Sequence, residues 1–392
     1  MKVFAFDLLP YPENLDHLKQ GATELPYPLP KRHFRPDVAV RNYEEHLEAW
    51  VFMEDLGFDG VGFNEHHTSP YGLMTSPNLM AAAASQRTKR MKLLILGNLL
   101  PIHEPLRLAE ELSMLDCMSN GRLIAGFARG IPREYNVYGI PLADSRARFE
   151  EAWKIVKLAW MEESFSYNGK FWSYNDVAIW PRPVQQPHPP VRVPVSGSQE
   201  TIEWAARENV DINPGGLTHS VSQDIVRYYA ECLKKNGHQI TPGHITVGSS
   251  VHLADTHEQA IKEAAPYTLY FNRTLFSHGN IPDRTLQKQA GYTTGVYDYL
   301  KPENRELMSR PPTFRNMTIE DIERNERLPW GPPEEVIDRL ISLADGMGAG
   351  TVQLNFNQGA MPHKMFMEQL ERFGKEVLPA LHAHEPVSLA VG

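Results

Sequence analysis

The chain has 392 residues, 42% of them hydrophobic and 22% charged, a composition that supports a buried core without disulfide or metal staples. A net charge of −9 with no basic run gives no field for nucleic acid, and two cysteines, Cys117 and Cys232, exclude a disulfide framework or a four-cysteine zinc site. No run of about 18 apolar residues marks a membrane span, and the quickly acidic start is not a secretory signal, so a cytoplasmic protein is expected.

In chain order, an apolar strand is predicted over 3–9. A helix follows from the spacing of Tyr43, Leu47, Trp50, Val51 and Met53, ending before Gly57. Strand 59–63 precedes an alanine-rich helix over 77–87, and strand 91–96 precedes a helix over 105–118 with proline in its first turn. Strand 123–127 leads into a long amphipathic helix over 146–161. Strands 191–195 and 210–213 flank a helix over 200–208. A longer strand, 244–253, precedes a helix over 257–270, and the last pair is strand 350–356 with helix 364–378.

Two stretches break the alternation. Residues 167–190 read as a hairpin excursion, and 272–330 as a long functional loop, either a lid over a site or an oligomer contact. Eight strands alternating with helices predict an α/β fold, a closed (β/α)8 TIM barrel forming a single domain over 1–392. A doubly wound open sheet would show a glycine fingerprint after the first strand, where this chain has Pro10-Tyr11-Pro12.

In a barrel, function gathers where strands end. Those positions hold Asn64-Glu65-His66-His67, Gly97-Asn98, Ala128-Arg129-Gly130, Ser196-Gly197-Ser198, and Asn355 with Asn357. Glu65, His66 and His67 could share a metal only if the chain turned sharply, because neighbours on a strand point to opposite faces. The spacing of zinc proteases is absent, so no metal is expected. Acid–base work by a histidine fits better, with a hydrogen-bonded core histidine as the plainer alternative. The run Ser196 to Thr201 lies between a strand and a helix, which suits either an anion such as phosphate or simple helix capping by Ser198. Arg129 would add charge to such an anion, or else make a surface ion pair. No Gly-X-Ser-X-Gly elbow stands at a strand end.

These residues carry a family resemblance. Asn64-Glu65-His66-His67-Thr68, the run Leu100 to Glu110, Asp116-Cys117-Met118-Ser119-Asn120-Gly121-Arg122, Gly126-Phe127-Ala128-Arg129-Gly130 and the run Ser196 to Trp204 resemble the bacterial luciferase-like flavin monooxygenases. Ile179-Trp180-Pro181-Arg182-Pro183 resembles a branch described as limonene-monooxygenase-like.

The resemblance implies a barrel that takes reduced FMN (FMNH2) from a separate NAD(P)H:flavin reductase and reacts it with O2. A flavin C4a-(hydro)peroxide would then oxygenate a small organic substrate. By motif position it implies His66 and His67 as catalytic residues, and Ser196, Gly197, Ser198, Thr201 and Arg129 around the FMN phosphate. Gly97-Asn98 falls where the family often has a non-proline cis peptide, and a homodimer is implied by the family alone. Ala128 stands where luciferases have a cysteine and Gly197 where they have a glutamate, which speaks against light emission. A deazaflavin-dependent hydride-transferring oxidoreductase and a non-catalytic FMN-binding protein remain open as alternatives, as does a metal-dependent barrel hydrolase.

Overall fold

The computed structural model describes residues 1–215, 218–279, 297–309, 314–324 and 328–389. Eight parallel strands make the framework: β1 Lys2–Asp7, β2 Gly60–Phe63, β3 Lys92–Ile95, β4 Leu123–Ala128, β5 Val191–Val195, β6 Asp211–Pro214, β7 Thr246–Ser250 and β8 Thr351–Asn355. They pair in the order β7-β8-β1-β2-β3-β4-β5-β6, and a parallel bridge from Ile212 to Ile245 brings the two ends together. The (β/α)8 barrel expected from the strand–helix alternation is what forms.

Strand periodicity divides the core into two layers. Val3 and Ala5 of β1 point outward and pack with Val61, Leu93, Ile95 and Trp50 beneath the helices. Phe4 points inward and packs with Leu94, Leu96, Ile124 and the half-buried Phe6. Gly60 makes room for this plug, since a Cβ there would stand 2.5 Å from the Phe4 ring. The plug fills the middle of the barrel and leaves its carboxyl end open.

Helix Pro77–Arg87 begins and ends where the sequence placed it. The first long helix starts earlier than expected, at Pro36, and closes on Gly57 at φ 99°, a left-handed cap that glycine adopts without steric cost. The expected strand 244–253 is split. Thr246–Ser250 joins the barrel, while His252–Leu253 pairs outside it with Trp330–Gly331. Helices His219–Lys235 and Pro333–Asp345 complete the alternation and were not anticipated.

The excursion after the fourth strand is an antiparallel hairpin of Phe165–Asn168 and Ser173–Val177. Its turn is tied down by Glu151, whose carboxylate accepts from the amides of Lys170, Phe171 and Trp172 at 3.0–3.1 Å. Within the expected lid, 280–296, 310–313 and 325–327 lie outside the described residues. Of the rest, Phe271–Phe276 winds as a π-helix against Tyr71, and Tyr299 reaches the loop after β5.

Candidate active site

The carboxyl ends of the strands surround a cavity of about 600 Å³. Leu8, Asn64, Gly97, Arg129, Ser198 and Asn355 each follow or end a different strand and all line it. This is where a barrel of this kind carries its chemistry.

His66 faces the cavity with its side chain 24% exposed. Its Nδ1 lies 3.3 Å from Glu134 Oε1, and its ring meets Tyr71 edge-on at 4.6 Å. Glu134 is buried, and its Oε2 accepts from the Ile131 amide at 2.7 Å, closing the first turn of helix Pro132–Tyr138. The carboxylate is thereby fixed at both oxygens, one on the helix start and one on His66.

His67 does not line the cavity. Its Nε2 meets Glu65 Oε1 at 2.8 Å and its Nδ1 lies 3.1 Å from the Tyr138 hydroxyl. Glu65 is held from several sides: His103 Nε2 lies 2.9 Å from both oxygens, and the Leu99 amide donates at 2.9 Å. Burial alone would raise this carboxyl, but the hydrogen bonds and charge of its histidine neighbours lower it to about 2. His103 is pushed upward in turn, Glu65 overcoming the effect of burial. Among the described residues no group of three or more His, Cys, Asp or Glu side chains is arranged to hold a metal.

The Leu96–Gly97 peptide is cis and belongs to the cavity wall. Gly97 is pressed onto the next strand, where a Cβ would stand 2.8 Å from the Phe127 nitrogen. Asn98 sits behind this wall, fully buried, its Nδ2 3.4 Å from Glu65 Oε2.

Ser196, Ser198 and Thr201 line the cavity where β5 passes into helix Gln199–Glu208. Ser198 is the N-cap residue, yet its side chain makes no capping hydrogen bond, which removes simple capping as its role. Its hydroxyl points instead at Arg146, whose Nη2 lies 3.5 Å from Ser198 Oγ and donates to Thr201 Oγ1 at 2.7 Å. Gly197, at φ 104°, is turned away from the cavity and buried beneath Tyr299, whose hydroxyl donates to the Gly197 carbonyl at 2.7 Å. Arg129 also lines the cavity, its carbonyl accepting from Tyr135.

Sequence reasoning missed Arg146 and Glu134. Arg146 stands one residue inside a helix whose amphipathic face was read only for packing. Phe6 lines the cavity, whereas Tyr135 is core and Trp172 stacks beneath Arg148 at the hairpin. Trp180, in the stretch that resembles the limonene branch, is 91% exposed and is not among the cavity residues.

The cavity thus holds the His66–Glu134 pair together with Arg146 on the hydroxyls of Ser198 and Thr201 at a helix N-terminus. The family model described as luciferase-like monooxygenase matches residues 24–349. The oxygenase component of a flavin-dependent trigonelline monooxygenase from Acinetobacter baylyi is 26% identical over 343 residues, covering 86% of this chain and 89% of that protein. In structure, monooxygenase RslO1 from Streptomyces bottropensis superposes with a TM-score of 0.75 at 24% identity, over 98% of this chain and all of that one. The oxygenating constituent of 3,6-diketocamphane monooxygenase from Pseudomonas putida, solved with FMN, gives 0.70 at 19% identity over 97% and 98%. An F420-dependent secondary alcohol dehydrogenase has the same fold, with a TM-score of 0.66 at 15% identity over 97% and 98%. The chain belongs to the luciferase-like monooxygenase family.

Proposed function

We propose that this protein is the oxygenase of a two-component flavin monooxygenase. It would take reduced FMN from a partner NAD(P)H:flavin reductase and use O2 to oxygenate a small organic molecule. The observation that carries the reading is Arg146 between the hydroxyls of Ser198 and Thr201, at a helix N-terminus opening onto the cavity. Phosphate suits this donor set, because guanidinium and hydroxyl groups complement its oxygens and the helix end favours negative charge. The FMN-bound relative supports FMN over the deazaflavin of the dehydrogenase, while the fold itself serves both.

In this reading Ser196, Ser198, Thr201, Arg146 and Arg129 hold the phosphate, and Gly97 forms a wall against which a flat ring can lie. When bound, reduced FMN supplies the electrons that activate O2, one oxygen atom going to the substrate and the other leaving as water. The chain contributes position, exclusion of water and a proton. With Nδ1 of His66 engaged by Glu134, Nε2 is the atom left to exchange a proton with a molecule in the cavity. Glu134 orients the ring. Glu65, with His67 and His103 on its carboxylate, accepts from the Leu99 amide and so holds the backbone just past the Gly97 wall.

The test is anaerobic loading with reduced FMN followed by rapid mixing with oxygenated buffer. The bound flavin should reoxidise in a phase distinct from free reduced FMN. Reoxidation indistinguishable from the free flavin, at saturating protein, would overturn the proposal.

A further inference from the structure

The loop that follows β2 is a partition between two cavities. Asn64, His66 and Tyr71 line the candidate active site, whereas Thr68, Ser69, Pro70, Gly72 and Leu73 line a second cavity of about 520 Å³. No described residue lines both. The partition is held by backbone groups: the Leu73 amide donates to the Leu9 carbonyl at 2.8 Å and the Tyr11 amide to the Pro70 carbonyl at 3.0 Å. The Tyr43 hydroxyl donates to the Leu73 carbonyl at 2.7 Å. Gly72 is pressed onto the chain just past β1, where a Cβ would stand 2.8 Å from the Leu8 carbonyl oxygen.

The second cavity has an aromatic lining with one sign of charge. Tyr11, Phe34 and Tyr43 line it, with the Tyr11 and Phe34 rings 6.1 Å apart and tilted by 43°. Phe34 is 46% exposed, so a ring bound against it would take apolar surface out of water. Lys31 and His33 also line the cavity, and among the described residues no aspartate or glutamate does. Neither the Lys31 nor the His33 side chain is engaged in a hydrogen bond or ion pair among the described residues. The nearby Glu13 is already occupied, one oxygen accepting from Arg35 at 2.8 Å and the other from the Tyr11 hydroxyl at 3.3 Å. A mostly apolar cleft of this size with a few polar groups suits a small molecule. Its charge favours an anion over a cation.

We infer that this cavity is a second small-molecule site, for an aromatic carboxylate whose ring lies against Tyr11, Phe34 and Tyr43 and whose charge is met by Lys31. The occupant rests against the back of the loop whose other face sets the Tyr71 ring 4.6 Å from that of His66.

The experiment uses 2-naphthoate, 2-naphthalenemethanol and (2-naphthyl)methylammonium, which share one ring system and differ in charge. Each is titrated calorimetrically into the protein at low salt, with and without saturating FMN. An exposed ion pair is a modest contribution, so the carboxylate should bind about three- to fivefold more tightly than the alcohol. The ammonium compound should bind more weakly than either. FMN should leave the affinity of the carboxylate unchanged within about twofold, since the two cavities have separate linings. Phe34→Ala should weaken all three ligands by about two- to tenfold through the lost ring contact. Lys31→Glu should reverse the order of the carboxylate and the ammonium compound. Both positions are exposed, so the variants keep the fold. Binding of the carboxylate that is abolished by FMN would place it in the first cavity and overturn the inference. Equal or tighter binding of the alcohol or the ammonium compound, no binding of the carboxylate, or indifference to both substitutions would equally overturn it.

Discussion

His66 and Glu134 meet at the cavity, Nδ1 to Oε1 at 3.3 Å, although 67 residues separate them in the chain, His66 in the loop after β2 and Glu134 on the helix that follows β4. The contact orients the one cavity-facing imidazole of the Glu65-His66-His67 run. A positioned acid or base contributes roughly 10²–10⁴-fold to rate. His66→Ala should therefore lower kcat by about that factor, with reduced-FMN affinity nearly unchanged. Glu134→Gln should lower it less, by about tenfold, because the ring stays in place with a weaker partner. Flavin titration beside single-turnover kinetics checks both, and equal loss of binding and rate would assign the pair to the cofactor.

The phosphate assignment separates FMN from riboflavin. Hydrogen bonds to a charged group contribute about 1.5–3 kcal/mol each, or roughly 10–100-fold in affinity. Arg146→Met and Thr201→Val should weaken FMN binding by about that much and leave riboflavin binding almost unaltered. Fluorescence titration with both flavins reads the difference directly, and parallel losses would remove these residues from the phosphate.

Tyr299 supports the same loop from behind, donating to the Gly197 carbonyl at 2.7 Å while stacking on Tyr228. A neutral hydrogen bond is worth about 0.5–1.5 kcal/mol. Tyr299→Phe should weaken FMN by about two- to tenfold through the mobility of Gly197, again sparing riboflavin. An unchanged FMN dissociation rate in stopped flow would show that the loop does not need this support.

The pair Glu65–His103 should shape stability against pH. Glu65 is lowered to about 2, so its contribution is fully present above its ordinary value of 4.5 and is lost as pH falls toward 2. The size of that displacement corresponds to about 3 kcal/mol. His103 is raised, so its share is full below 6.5 and is lost as pH rises through its folded value. The Tm profile of the wild type should fall on both sides, and Glu65→Gln should flatten both limbs. A variant profile parallel to the wild type below pH 4.5 would contradict the assignment.

Much of the barrel was legible because its strands are short apolar runs buried on both faces, separated by helices with clear stops such as Gly57. The helix His219–Lys235 was also readable in principle, since Val221, Ile225, Tyr229 and Leu233 recur at every fourth position and are all buried. The splitting of 244–253 was not, because Val251 continues the apolar pattern while Ser250 ends the barrel pairing.

For the site, strand-end position and motif order pointed to His66, Gly97, Ser198 and Thr201, all of which line the cavity. The same signals cannot say which way a side chain turns. His67 and Asn98 are drawn to Glu65, and Gly197 is turned under Tyr299. Arg146 and Glu134 become visible only when separate strand ends converge in space.

The central claim is most directly tested by anaerobic titration with reduced FMN, reduced riboflavin and reduced deazaflavin F420. The account predicts saturable binding of reduced FMN, at least tenfold tighter than riboflavin and tighter than the deazaflavin. Tighter binding of the deazaflavin, or no binding of reduced FMN, would contradict it.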